Sequence, residues 1–506
     1  MTDVPWPADW QSGSPAAGRV RLRAARLPDL PHIPPWSIAA AAALAAAVYG
    51  RFMASGHIKY AVGLVLVALY APVVLFAFPV AFGLYTSVLF FQDIKALSFA
   101  PNAMGVLVAL GFLGTFTIRG EARAIVQQHR RLILIAVLLL LWLLITAAWA
   151  PATAQALRYS GFWWLGGLAF LIVLGTCRRE SHVALLSMAF VGGATVAAVI
   201  GLSGVGLKPP DPTGHFVTQA ALQTRLTGGA GDPNLQAAGF VAAMFLDVGL
   251  LSVYRRPWTR LGLLAAFVLI TVAFLETQSR GGLIALGVAC LAALILFPAQ
   301  RRRLLGFAAI ALVIAAVAAA GTPGALSRIT DFGGGTSGRS DIWAVATQVF
   351  GQHPIVGVGL NNFPVVEPRF SLLHRNVTRA TYIAEDPYPV HNTYLQLLAE
   401  TGVVGLIGFL VFVVACLRAG WLAARRFERL GHKALANLAQ ATVMGTIGML
   451  AAIFFISDGF DWRLWILLGL GPALLALSSG AASASAADSS PPPTRRVLLP
   501  AGDPVP

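Results

Sequence analysis

Long apolar runs alternate with short basic or Gly/Pro-rich breaks along almost the whole chain. The runs fall at 36–50, 59–70, 72–91, 102–118, 131–149, 156–175, 182–206, 234–254, 259–276, 281–297, 304–321, 402–420, 436–456 and 462–480. Stretches of about 17 to 25 residues match helices crossing a hydrocarbon layer about 30 Å thick. The first three are short or contiguous around Pro72 and Pro79, so the pattern predicts twelve to fourteen spans. The alternating ten-residue segments of a transmembrane barrel are missing. The expected fold class is therefore all-α, a polytopic transmembrane helical bundle. Two breaks are longer than the rest: 207–233 and 322–401. The second holds His353, His374 and His391 and reads as short helices punctuated by glycine, SDIWAVATQVF, a turn at GQHPIVGVGLNNF, then NTYLQLLAE. A polar connection that long between membrane spans points to function within it.

Composition agrees: 57% of the 506 residues are hydrophobic, 11% are charged, and mean hydropathy is +0.74. A net charge of +15 in a soluble chain would suggest nucleic acid as a partner. Here the basic residues sit in short loops between spans, where they set orientation, and nucleic-acid binding is discounted. About two thirds of the 36 lysines and arginines collect on one side of the alternating topology, which the positive-inside rule makes cytoplasmic. The domain reading follows: a cytoplasmic tail at 1–35, membrane helices at 36–321, an outer loop with short helices at 322–401, further membrane helices at 402–480, and a disordered cytoplasmic tail at 481–506. The start has no apolar core before residue 36, which argues against a cleaved signal peptide. Cys177, Cys290 and Cys416 lie at or within apolar runs without paired spacing, so neither a disulfide framework nor a zinc site is expected.

The candidate chemistry lies on the outer side. Arg280 in TQSRGG falls at an outer hairpin between two spans. Its plain reading is an interfacial arginine that snorkels to the surface, with Glu276 four residues earlier as an ion-pair partner. Arg225 stands at the mouth of a neighbouring hairpin beside Gly228, Gly229 and Gly231. Two arginines on one face are costly to crowd unless an anion separates them. A diphosphate fits, since guanidinium groups bind phosphate oxygens through paired donors and helix N-termini add more. Arg339, in GGGTSGRSDIW, is a third candidate, with Asp331 or Asp341 as alternative partners; no Gly-Lys-Ser/Thr follows, so the loop is not a P-loop. His391 heads the short helix NTYLQLLAE, either as a helix-capping residue or as the side chain best suited to take a proton from a hydroxyl near neutral pH. His353 and His374 are read as structural.

The ordered set RLTGGAGDPN (225–234), SRGG (279–282), GRSDIW (338–343), HPIVGVGLNNF (353–363) and HNTYLQLLAETGVVGL (391–406) resembles the O-antigen ligase and Wzy-type polysaccharide polymerase superfamily. LLLLWLLITAAWAPATAQALRY, residues 138–159, is similar to mid-chain spans of that family. The resemblance covers roughly residues 130–470. It implies an all-helical, C-type, metal-independent, inverting glycosyltransferase of the bacterial inner membrane with its active site facing the periplasm. Its donor would be an undecaprenyl diphosphate-linked glycan. The acceptor would be lipid A-core for a ligase, or a carrier-linked glycan for a polymerase of exopolysaccharide or O-antigen. Beyond these partners and the membrane lipids, the resemblance implies no metal and no nucleotide cofactor. Family positions carry over onto Arg225, Arg280 and Arg339 as diphosphate contacts and onto His391 as the catalytic histidine. A polysaccharide or lipid transporter is the rival class; it would place ionisable residues near the bilayer midplane, where Asp247 is the one acidic residue to watch.

Overall fold

The computed structural model describes residues 47–51, 53–55, 58–92, 99–118, 121–204, 225–298, 301–302, 305–307, 309, 313, 339–373 and 388–488. Most of the expected runs 36–50 and 304–321, most of the segment 207–233, Asp331, His374 and the C-terminal tail beyond residue 488 lie outside these residues, whereas 481–488, expected to be disordered, continue the last helix. Among the described residues the chain is helical without strands: α1 (Ile58–Phe76), α2 (Phe78–Val88), α3 (Phe99–Ile118), α4 (Glu121–Ile145), α5 (Thr153–Thr176), α6 (Glu180–Leu202), α7 (Pro233–Val253), α8 (Pro257–Glu276), α9 (Arg280–Leu296), α10 (Arg339–Gln352), α11 (Phe363–Leu373), α12 (Thr393–Arg429), α13 (Lys433–Ala452) and α14 (Trp462–Asp488). Among the described residues eight helices are long and apolar enough to cross a membrane, and four shorter apolar ones accompany them. The protein is an all-α polytopic membrane protein.

Local chemistry sets the helix ends. Asp232, Ser279 and Asn392 cap α7, α9 and α12, each accepting from backbone N–H groups of the first turn, which otherwise lack partners. Proline opens α7 and α8, where its missing N–H costs nothing. One boundary differs from the sequence reading. The break expected at Pro72 falls at Ala77 instead, because α1 carries Pro72 inside it and Pro79 opens α2. A membrane helix tolerates an interior proline more readily than a soluble one.

Small residues let the central helices approach. α7 and α13 are the most enclosed of the long apolar helices. They meet through Gly445 against the Ala242 backbone and Gly448 against Val241, the close small-residue packing expected where apolar burial alone cannot drive association. A second centre joins α5, α12 and α14. There Trp465 meets Trp163 edge to face and Phe412 at a tilt, and Gly166 leaves room for its indole. The indole N–H then donates to the Gly459 carbonyl at 3.1 Å, which pins the turn before α14.

The described parts of the long connection, 339–373 and 388–401, fold onto the bundle. α10 coincides with the helix expected at SDIWAVATQVF, whereas α11 was not expected, since two of its residues are proline. The motif HPIVGVGLNNF docks onto α12 where that helix bends. Gly402, at the junction between the short helix NTYLQLLAE and the apolar run 402–420, takes φ +68 inside α12. Val358 and Gly359 donate to the Ala399 and Glu400 carbonyls at 3.2 and 2.8 Å, and Val403 donates to the Pro354 carbonyl at 2.9 Å. A side chain on Gly402 would strike the Ile355 carbonyl, and one on Gly357 would strike the Glu400 backbone. Glu400 reaches back to accept from Asn361 N at 2.6 Å. The stretch 142–155 closes the other side: Trp142 and Trp149 donate to the Thr401 and Gly357 carbonyls, and Gln155 donates to the Asn361 carbonyl.

Candidate functional site

The ends of the bundle have different chemistry. At one end lie the first turns of α5, α7, α9, α12 and α14 together with the docked motif; at the other lie the basic breaks after α5, α7, α9 and α12. All four sequence-selected residues, Arg225, Arg280, Arg339 and His391, belong to the first end.

Arg225 is tied to the turn that carries Arg280. Its Nε donates to the Thr277 carbonyl at 2.9 Å and its Nη2 to Asn234 Oδ1 at 3.1 Å. Asn234 Oδ1 also accepts from Ser279 Oγ at 2.8 Å, and Ser279 Oγ accepts from Gly282 N at 3.0 Å as the cap of α9. Leu226 N donates to the Glu276 carbonyl at 3.0 Å. The hairpins of RLTGGAGDPN and TQSRGG are thereby one hydrogen-bonded unit. Arg280 itself, the first residue of α9, is exposed. Gly281 behind it lies against Phe455, and Phe455, Phe454 and Trp343 form a chain of ring contacts leading to α10.

His391 sits where three elements converge. Trp343 Nε1 of α10 donates to the Val390 carbonyl at 3.0 Å, and Asn392 caps α12 through Tyr394 N and Leu395 N. Thr393 Oγ1 donates to the Ile456 carbonyl at 2.7 Å and accepts from Asp458 N at 3.0 Å. The imidazole is held below its ordinary pKa, first by burial and then by the Arg339 charge, against the opposing pull of Asp232. Burial also lowers Arg339, and Asp232 offsets this. Among the described residues Asp232 is thus the acidic group acting on Arg339, a residue not among the partners expected from the sequence; of those, Asp331 lies outside the described residues. Arg339, Asp232 and His391 form one electrostatic group even though they are spread over 160 residues of chain.

Backbone strain marks the same place. Among the described residues, three non-glycine residues have positive φ: Gln278 at +48, Asn361 at +53 and His391 at +54. Each costs on the order of 1 kcal/mol or more, and such residues cluster where the surroundings over-determine a functional conformation. All three fall in motifs at this end. His353, by contrast, is exposed and takes part through its backbone.

Sequence reasoning missed the acidic side of the site. In SDGFDWR, Asp461 and Arg463 form a buried ion pair with Nη2–Oδ2 at 2.6 Å and Nε to both carboxylate oxygens. Arg463 also lies 5.2 Å over the Phe90 ring. Asp458 beside them is raised well above the carboxylate range by burial and by Asp461, opposed by Arg463, with a further upward push from Asp232. Two aspartates and an arginine within six residues were the available signal; they read as an ordinary interhelical loop. Asp247, the candidate for a transport role, is fully buried in α7, about 20 Å along the helix from Asp232.

The family model described as O-antigen ligase matches residues 265–410. The matched segment runs from α8 into α12 and includes Arg280, Arg339, the docked motif and His391, while Arg225 and Asp232 lie before it and SDGFDWR after it. A search of curated proteins returns no match. Fold and match together describe a multi-pass membrane protein, one segment of which resembles O-antigen ligases. Over that segment the chain is similar to the O-antigen ligase family.

Proposed function

We propose that the protein transfers a glycan from an undecaprenyl diphosphate carrier to an acceptor hydroxyl on the periplasmic face of the inner membrane, as an O-antigen ligase does. The single observation that carries this reading is His391. It lies inside the matched segment, held in a strained backbone conformation between Arg339 and Asp232. A depressed pKa keeps the imidazole neutral near neutral pH, the state a general base requires.

In the proposed reaction the acceptor hydroxyl gives its proton to a His391 ring nitrogen as its oxygen bonds to the anomeric carbon. The anomeric bond to the diphosphate breaks on the opposite face, inverting that centre. The departing bond pair stays on the diphosphate oxygen, where Arg225, Arg280 and Arg339 meet the growing negative charge. Prepositioned donors of this kind act without reorganising during the reaction, and the bonds holding Arg225 to Thr277 and Asn234 supply that rigidity. Asp232 stabilises the imidazolium once it forms. Energy comes from the diphosphate ester.

The test is transfer by the purified full chain in lipid nanodiscs with a carrier-linked glycan. His391→Ala should lower the rate by about 10² to 10⁴-fold with unchanged yield and thermal stability; wild-type transfer would return His391 to a capping role. Deletion followed by glycan profiling separates the two family reactions, since a ligase leaves carrier-linked polymer and a polymerase leaves single repeat units.

A further inference from the structure

At the end of the bundle opposite His391, a cavity of about 500 Å³ opens among α7, α8, α9 and α13. Arg255, Arg260 and Lys433, all exposed, stand around it. α8 and α13 both begin here, so two helix N-termini add to the positive potential. Below this rim the walls turn apolar, with Leu264, Phe297, Phe307 and Met444. Lys433 and Met444, on one face of α13, lie about 16 Å apart along the axis. A cationic mouth over a greasy shaft is complementary to one end of an anionic lipid.

Between mouth and floor the wall carries Gln440, which is 4% exposed. Its Nε2 donates to Glu428 Oε1 at 2.5 Å, which fixes the amide orientation because a carboxylate can only accept. Gln440 Oε1 is then left buried without a hydrogen-bond partner in a residue lining the cavity. Such an acceptor costs on the order of 1–3 kcal/mol unless a donor reaches it. The surroundings place this level at a membrane–water boundary: Trp258 is 82% exposed beside Arg255 and Arg256, as in an interfacial aromatic belt. Leu261 and Val268 of α8 and Leu291 and Ile295 of α9 are exposed as well, so lipid borders the helices that flank the opening.

We infer that this cavity binds one glycerophospholipid with an anionic, hydroxyl-bearing headgroup: Arg255, Arg260 and Lys433 take the phosphate, Gln440 Oε1 accepts from a headgroup hydroxyl, and an acyl chain fills the apolar shaft. The inference stands on this cavity alone and does not depend on the transfer reaction. The test titrates the delipidated full chain, in a zwitterionic detergent, with dioleoylphosphatidylglycerol and follows retained lipid by native mass spectrometry. Arg260→Gln and Lys433→Gln should each weaken binding about five-fold, the loss expected for one cation near a lipid surface, and the pair about twenty-five-fold. Gln440→Leu should weaken phosphatidylglycerol by a further few-fold and leave phosphatidylcholine unchanged. If that buried substitution does not fold, the two exposed substitutions still decide the matter. Wild-type retention in the double variant, equal binding of phosphatidylcholine, or displacement by millimolar inorganic phosphate would each overturn the assignment.

Discussion

Both ends of the bundle are rich in arginine, yet the arginines are held differently. At the His391 end Arg225 is bonded to a carbonyl and a side-chain amide, Arg463 to a carboxylate, and Arg339 sits in the field of Asp232. The surrounding backbone is strained at Gln278, Asn361 and His391. At the opposite end Arg255, Arg256, Arg260 and Lys433 are exposed at or near helix starts, with freedom to serve orientation and headgroup contacts. Arg280 is likewise exposed at a helix start, and at the opposite end Arg425 donates to Glu428 and to the Leu296 carbonyl, so the contrast rests on Arg225, Arg339 and Arg463.

The largest effect that would break this contrast concerns the type of cation. Arg280→Lys should cost about tenfold or more in transfer, because an ammonium cannot reproduce the planar fork of donors. Arg256→Lys at the other end should leave the rate unchanged. Equal behaviour of the two variants in a carrier-linked glycan assay would erase the distinction.

Next comes the scaffold. Gly402→Ala puts a methyl group against the Ile355 carbonyl at a left-handed position, so a loss of roughly 1–3 kcal/mol is expected, read as a lower melting temperature in detergent together with lost activity. Gly262→Ala, on α8 with nothing within 4 Å, should leave stability unchanged or raise it slightly.

A smaller effect appears in the pH profile. Transfer should fall on the acid side as His391 takes up a proton, with the midpoint below the ordinary histidine value of 6.5, since burial and Arg339 lower it. Arg339→Gln removes a lowering influence, so the limb should move to higher pH. Asp232→Asn removes a raising one and should move it to lower pH. Identical limbs in both variants would separate His391 from the group.

The smallest effect is expected at Asp247. Both its carboxylate oxygens are buried without hydrogen-bond partners in the structure, so Asp247→Asn should be neutral or mildly stabilising and should not change product. Product loss with normal folding would revive a proton-coupled transport reading.

Much of this was legible in the chain. Apolar run lengths gave the helical class, and the capping residues Asp232, Ser279 and Asn392 stand directly before the helices they start. The arginines and His391 stood out because polar side chains are conspicuous beside membrane spans. What escaped depends on contacts between distant segments. Gly402 reads as a junction between two helices, but only the 353–363 motif zipped against it shows why that junction has no room for a side chain. Asp232 looks like a cap until α10 and α12 bring Arg339 and His391 into its field. Asp458, Asp461 and Arg463 look like a loop, since only packing reveals that their charges are buried. α11 was hidden by its prolines, one of which, Pro368, lies inside the helix.

The central claim is that the Arg225–Arg280 unit, Arg339 and His391 face one lipid-borne diphosphate. The most direct measurement is an electron cryomicroscopy reconstruction of the full chain in a nanodisc with undecaprenyl diphosphate. The account predicts diphosphate density within hydrogen-bonding distance of the Arg225 and Arg280 guanidinium groups and beside the His391 ring. Diphosphate density bound instead at the opposite end, among Arg255, Arg260 and Lys433, with the His391 end empty, would contradict it.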